Sequence, residues 1–145
     1  MTDKLKGVHP DLQKVVLHAL AHGSAKWQVT EGLRTLERQQ ELFAAGKSKT
    51  MKSRHLLGCA VDVVALTGGA ANWSIDAYMA VAADFAMASE ALNIPIRWGA
   101  CWQLLRTDMN YGKEIDKYAA AARAEGRRPL IDAVHFELPV SVAYP

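Results

Sequence analysis

Along the chain, apolar residues recur at two different spacings. Leu12, Val15, Val16, Ala19 and Leu20 repeat with helical spacing behind Pro10 and Asp11, a proline and an acid suited to a helix start. Residues 27–30 alternate and predict a short strand. After Gly32 and Arg34, Thr35 is placed to cap a helix with Glu37 in its first turn, and Leu36, Gln40, Leu42 and Phe43 carry that helix to Gly46. Residues 60–64 are β-branched and strand-like, with Ala60, Asp62 and Val64 on one face and Val61 and Val63 on the other. Ser74 caps the longest expected helix, with Tyr78, Val81, Phe85, Ala88 and Leu92 on one side and a stop near Asn93 and Pro95. Ile94, Ile96 and Trp98 alternate as a short strand before Gly99, and residues 113–125 predict another helix stopped by Gly126. Residues 133–138 alternate again, with Val134, Phe136 and Leu138 toward a core and His135 and Glu137 on the opposite face. The pattern predicts an α+β fold, helices packed on a small antiparallel sheet, in a single domain over residues 1–145.

Half of the 145 residues are hydrophobic and the net charge is only +2, so a core is available and the overall charge points to no particular partner. There is no long basic stripe of the kind a nucleic-acid binder carries. Lys47, Lys49, Lys52 and Arg54 form one small basic loop, and Arg123, Arg127 and Arg128 another. Both read first as solvated surface, and second as attraction to an anionic polymer such as a cell wall. Cys59 and Cys101 do not make a disulfide framework; Cys59 lies in an apolar run as a small hydrophobe, and a structural pair stays open. The polar start of the chain has no apolar signal core, and no window reaches the length of a membrane span. A soluble monomer made in the cytosol, with no membrane insertion, is therefore expected.

The candidate chemistry lies in two segments. Ser53, His55, Gly58, Ala60 and Asp62 make up the first, and Asp132, His135, Phe136 and Glu137 the second. A carboxylate such as Asp62 in an apolar strand is costly to bury unless paired or metal-bound. If the strands of Asp62 and His135 are neighbours, His55 in the loop before one of them closes a set of two imidazoles and one carboxylate. Zinc suits that set, and nickel or cobalt also fit. Asp132, expected in the turn before its strand, is then a spare acid able to move protons. Glu137 reads either as a partner behind a metal ligand or as a plain polar strand residue. Arg34 projects from a glycine turn, where it can serve an oxyanion or simply face solvent. Ser53 can cap, orient a ligand or contact substrate. His18 and His22 share a helix face but lack a third ligand nearby, and they and His9 read as boundary histidines. Asp108, Asn110 and Gly112 resemble part of a calcium loop without its remaining ligands, and read as a turn.

These residues match a known signature, S-x-H-x-x-G-x-A-x-D followed by an acid, two residues and a histidine continued as H-F-E. The chain resembles the zinc peptidases that include D-Ala-D-Ala dipeptidases and carboxypeptidases and phage L-alanyl-D-glutamate endopeptidases. Upstream, Gly32-Leu33-Arg34-Thr35 and the glutamine, leucine and glycine beyond it are similar to a further family segment. Trp98-Gly99-Ala100-Cys101-Trp102 is similar to another, with Cys101 where the family has an aspartate. The resemblance implies one zinc ion on His55, Asp62 and His135, Asp132 as general base and acid, and Arg34 at the oxyanion or the substrate. It leaves Ser53, Glu137 and Trp98 as candidate supporting or substrate-side residues. It also implies an α+β fold and, for a short chain of this kind, a phage endolysin that accumulates in the host cytoplasm and reaches the wall after a holin opens the membrane. Its substrate would be the peptidoglycan stem peptide, cut between L-Ala and D-Glu. A D-Ala-D-Ala carboxypeptidase, or a zinc-stabilised wall-binding module without turnover, are the alternatives; the spare acid Asp132 speaks against the second. The stretch between Trp102 and Asp132 is longer than is common in compact relatives, and its extra helix over 113–125 reads as an inserted surface helix, a lid or a wall-binding face.

Overall fold

In a computed structural model of the chain, residues 2–48 and 53–139 are described. Lys49 and Lys52 of the expected basic loop lie outside them. Among the described residues, four α-helices accompany an antiparallel sheet: α1 (Pro10–His22), α2 (Leu36–Ala44), α3 (Ile75–Leu92) and α4 (Tyr111–Ala124) with β1 (Trp27–Glu31), β2 (Ala60–Thr67), β3 (Ala70–Ala71), β4 (Arg97–Trp98), β5 (Gln103–Leu104) and β6 (His135–Glu137). The strand order is β1-β2-β6-β4-β5, with β3 folded back on the end of β2. This is the α+β arrangement that the alternating and helical stretches predict.

Local chemistry sets the helix ends. Ser74 accepts a hydrogen bond from the Ala77 amide at the start of α3, and Asn93 closes it in the left-handed region at φ 54°. Thr35 caps α2 from the Arg38 amide, and Asn110 caps α4 from the Lys113 amide. Asn110 thus ends the calcium-like stretch as a helix cap.

The core lies between the sheet and the pair α1 and α3. Leu12, Val15 and Val16 of α1 and Val81, Ala82 and Phe85 of α3 are fully buried with Val61 and Val63 of β2 and Phe136 of β6. Phe85 stacks on Phe136 at 4.0 Å between ring centroids, and Trp98 lies nearly parallel beyond it at 6.1 Å. This aromatic layer fixes the back of the strands whose front carries the polar residues. Asp84 ties α3 to the segment before β1, accepting from the Ser24 and Ala25 amides and from the Trp27 indole. Among the described residues, no helix is long and apolar enough to cross a membrane.

Three elements depart from the simple pattern. The alternation over 94–98 shortens to Arg97–Trp98, because Asn93 and Ser89 hold Ile94 in the helix cap and Pro95 has no N–H to donate. The alternation over 133–138 shortens to His135–Glu137, because the Asp132 carbonyl takes the His135 amide and makes residues 133–134 a turn. Helix α2 buries Gln39, while Leu36 and Phe43 are about half exposed; it is anchored by a polar side chain instead of an apolar stripe.

Candidate metal centre

The site begins with strand register. Asp62 in β2 is the direct cross-strand partner of His135 in β6, and Val61 is the partner of Phe136. Side chains on successive residues face opposite ways, so the same pairing sends Val61 and Phe136 into the core and Asp62 and His135 to the front. On the other side of β2 the pairing slips by one residue between Val29 and Glu31, which puts Glu31 opposite Asp62. Glu31, Asp62 and His135 therefore form one row across three strands.

His55 joins from outside the sheet. It sits in a single 3-10 turn, Arg54–Leu57, capped by Ser53 and ended by Gly58 in the left-handed region at φ 71°. The Ser53 hydroxyl accepts from the His55 amide at 3.2 Å and lies 3.4 Å from Nη1 of Arg34. Gly99 makes the opposite wall possible: a Cβ there would lie 2.5 Å from the Asp132 carbonyl oxygen. That close approach lets the Asp132 amide donate to the Gly99 carbonyl at 2.9 Å, which clamps Asp132 three residues ahead of His135.

The hydrogen-bond roles decide what the cluster lacks. His55 Nδ1 lies 2.9 Å from the Gly32 carbonyl, which can only accept, so Nδ1 carries the hydrogen and Nε2 of a neutral ring offers a lone pair. That Nε2 is 3.2 Å from Asp62 Oδ1. His135 Nε2 is 2.7 Å from Glu137 Oε1, which fixes its hydrogen there and turns the Nδ1 lone pair toward Asp62 Oδ1 at 3.4 Å. Three acceptors thus converge, all within 4.8 Å of one another, with no donor between them. With both rings neutral, such a set is completed by a cation. Zinc bonds near 2.0–2.2 Å imply a ligand-to-ligand edge of about 3.3–3.6 Å in a tetrahedron, and the observed edges of 3.2 and 3.4 Å lie within about 0.1 Å of that range. The donor set fits a zinc ion, with His55, Asp62 and His135 as the residues able to hold it.

Without an ion, protons take its place: a charged His135 donates from Nδ1 to Asp62, and a cation would displace that hydrogen. Burial opposes ionisation of Asp62, but hydrogen bonds and charge from His135 and His55 outweigh it and hold the carboxyl well below the usual carboxylate range. Burial also opposes charging of His135, yet its hydrogen bonds to Asp62 and Glu137, with the charges of Asp62 and Asp132, push it up to about 9. Asp132 moves the other way from Asp62. Burial, with the Asp62 charge, raises it, against His135, His55 and Arg34, which lower it.

Around these groups runs a cleft of about 490 Å³. Arg34, Ser53, His55, Asp62, Asp132, His135 and Glu137 all line it. Arg34 is gripped from behind: Nε and Nη2 reach the two Glu31 oxygens at 2.7 and 3.0 Å, and Nη1 reaches Gln39 at 2.6 Å. Its Nη2 still lies 3.9 Å from Asp62 Oδ2. Trp98 lies elsewhere. It is fully buried outside the cleft lining and donates its indole N–H to the Ala133 carbonyl at 2.8 Å, steadying the turn between Asp132 and His135. Cys101, at the position of the missing aspartate, is buried and also outside the lining, and both cysteines are free thiols. Helix α4 contributes nothing to the lining; it packs through Ile115, Ala119 and Ala122. His18 and His22 contact each other on α1 at 4.5 Å between ring centroids, away from the cleft.

Residues 1–139 match the family model described as phage L-alanyl-D-glutamate peptidase. The chain belongs to this family. A similar curated protein, the L-alanyl-D-glutamate peptidase of Escherichia phage T5, is 33% identical in an alignment of 103 positions that covers 68% of this chain and 75% of that protein. Among solved structures, the L-Ala D-Glu endopeptidase ChiX of Serratia marcescens is 34% identical, covers 97% of this chain and 86% of its own, and superposes with a TM-score of 0.75. In this member of the phage L-alanyl-D-glutamate peptidase family, Glu31, Gln39 and Trp102 also shape the site; the sequence reading holds Gln39 and Trp102 only as parts of family segments, without a role, and omits Glu31. Trp102 adopts φ 57°, donates its indole N–H to the Leu130 carbonyl at 2.9 Å and places its ring 5.6 Å from the His135 ring. Glu31 left one signal: an acid on the same parity as the buried Trp27 and Val29, which a regular strand would have driven into the core.

Proposed function

We propose that this protein is a zinc-dependent peptidoglycan peptidase that hydrolyses the L-Ala–D-Glu bond of the stem peptide. The observation that carries the reading is the convergence of three acceptor atoms with no donor between them, beside a carboxylate of raised pKa in the same cleft. The names of the phage T5 and Serratia relatives support the choice of bond.

His55, Asp62 and His135 hold one ion, which when bound supplies Lewis acidity toward a carbonyl and toward water. Asp132 then does the proton work. Burial raises its pKa, which brings it nearer the operating pH than an ordinary aspartate. It takes a proton from the attacking water and returns it to the leaving amine. Arg34 supplies fixed positive charge to the oxyanion; Glu31 and Gln39 hold the guanidinium so that no reorganisation is needed at that moment. Glu137 holds the His135 ring, and Ser53 holds the turn that carries His55. The protein works as a monomer, is made in the host cytoplasm and meets the wall after holin-mediated release. Mass spectrometry of purified walls digested with the zinc-loaded protein tests this: new L-Ala carboxyl and D-Glu amino ends are expected. Free D-alanine with the L-Ala–D-Glu bond intact would show a different peptidase.

A further inference from the structure

Charges in the cleft are almost all matched. Glu31 is held by Arg34, and Glu137 by His135 at 2.7 Å and by Arg97 at 3.5 Å. Asp62 faces both histidines. On the cationic side, Arg34 is committed to Glu31 and Gln39. Arg54 is different. It lines the cleft, precedes His55 in the chain and has no carboxylate partner among the described residues. One of its nitrogens, Nη2, donates to the Leu138 carbonyl at 2.9 Å and fixes the guanidinium in place. Its Nε is a buried side-chain donor with no hydrogen-bond partner. That Nε is sealed from the cleft, so an anion there would meet the far end of the guanidinium, Nη1 and the second hydrogen of Nη2, held in place by the Leu138 contact. Lys47 also lines the cleft and is exposed, so it adds charge without fixed geometry.

We infer that Arg54 is the substrate-carboxylate anchor of the cleft, reading the free carboxylate of the glutamate whose amine leaves. The inference rests on the proposed L-Ala–D-Glu specificity. Glutamate has one amine and two carboxyl groups. Its amine is in the scissile bond and at most one carboxyl continues the chain, so one remains free unless it is amidated. That carboxylate lies within a few bonds of the reacting carbon, as Arg54 adjoins the ligand His55. A planar guanidinium binds a carboxylate through paired N–H donors, and a carboxamide offers only one oxygen and no charge. Arg54 thus separates glutamate from its amide by charge and geometry together.

The test uses the zinc-loaded full chain and two synthetic stem peptides that differ only in having the free glutamate carboxylate or its amide. The wild type is expected to favour the carboxylate peptide in kcat/KM by about 10- to 100-fold, the scale of one or two charge-assisted hydrogen bonds. Arg54→Gln is expected to lose that preference, chiefly through KM on the carboxylate peptide, with its zinc content unchanged. Arg54→Lys is expected to recover part of it. Equal cleavage of the two peptides by the wild type, or an unchanged ratio in both variants, overturns the assignment and leaves the peptidase reading intact. A wild type that cuts neither peptide between alanine and glutamate overturns the underlying reading and the assignment with it.

Discussion

Removing the Glu137 carboxylate by Glu137→Ala should weaken zinc binding without touching a ligand atom. Glu137 Oε1 lies 2.7 Å from His135 Nε2, and both side chains are nearly buried. The contact does two things. It fixes the hydrogen on Nε2, which leaves Nδ1 to face Asp62, and it raises the basicity of the ring. Without it, the neutral imidazole can place its hydrogen on Nδ1 and must give that tautomer up before it can bind. Loss of such a partner typically lowers metal affinity about 10- to 100-fold, or about 1.4–2.7 kcal/mol. A second effect must be separated. Arg97 loses an ion pair of 3.5 Å, but it is a partly exposed arginine, and such pairs contribute at most about 1 kcal/mol. Arg97→Ala is therefore the control, and its zinc affinity should stay within about threefold of the wild type. The assay is competition for zinc against a chromophoric chelator at constant pH. A Glu137→Ala protein that folds normally and binds zinc as tightly as the wild type would refute the assigned hydrogen positions, and with them the argument that three lone pairs converge.

Asp132→Asn should retain zinc and fold while losing at least about 100-fold in kcat, checked by elemental analysis and a peptide-cleavage assay; near-normal turnover would assign the proton work elsewhere. Asp84→Ala strips the acceptors from two amides and an indole N–H, and should lower stability by about 2–4 kcal/mol in urea unfolding with little change in zinc affinity. In chelator-treated protein, the His135 pKa is raised from its ordinary 6.5 to about 9, so its stabilising contribution is fully present below about pH 6.5 and is lost as pH rises through about 9. Thermal unfolding of the metal-free protein across that window should show the decline, and zinc-loaded protein should not. A metal-free protein that grows more stable from pH 6.5 to 9 would contradict the environment assigned to His135.

Much of this site was legible because strand parity is a strong code. Asp62 within an apolar run, and His135 and Glu137 alternating with Phe136, could face a common side only if their strands paired, and they do so residue against residue. Helix ends were legible through Ser74, Thr35 and Asn93, whose capping chemistry is local. What failed to show were features that depend on contacts distant in the chain. Glu31 reaches the cleft through a register slip against β2, and a bulge leaves no reliable mark in one strand's own sequence. Helix α2 looked amphipathic, yet its buried residue is Gln39, because the arginine it grips lies in the preceding turn. Trp98 shares a segment with the site but faces the aromatic core, and Trp102, four residues on, is the one that turns into the cleft through a left-handed backbone.

The central claim is that His55 Nε2, Asp62 Oδ1 and His135 Nδ1 hold one ion. A crystal structure of zinc-loaded protein, with data collected on both sides of the zinc absorption edge, measures it directly. The account predicts one anomalous peak about 2.0–2.2 Å from each of those three atoms, with Asp132 facing it and outside bonding distance. A peak held by His18 and His22, or one bonded directly to Asp132 in place of any of the three, would contradict it.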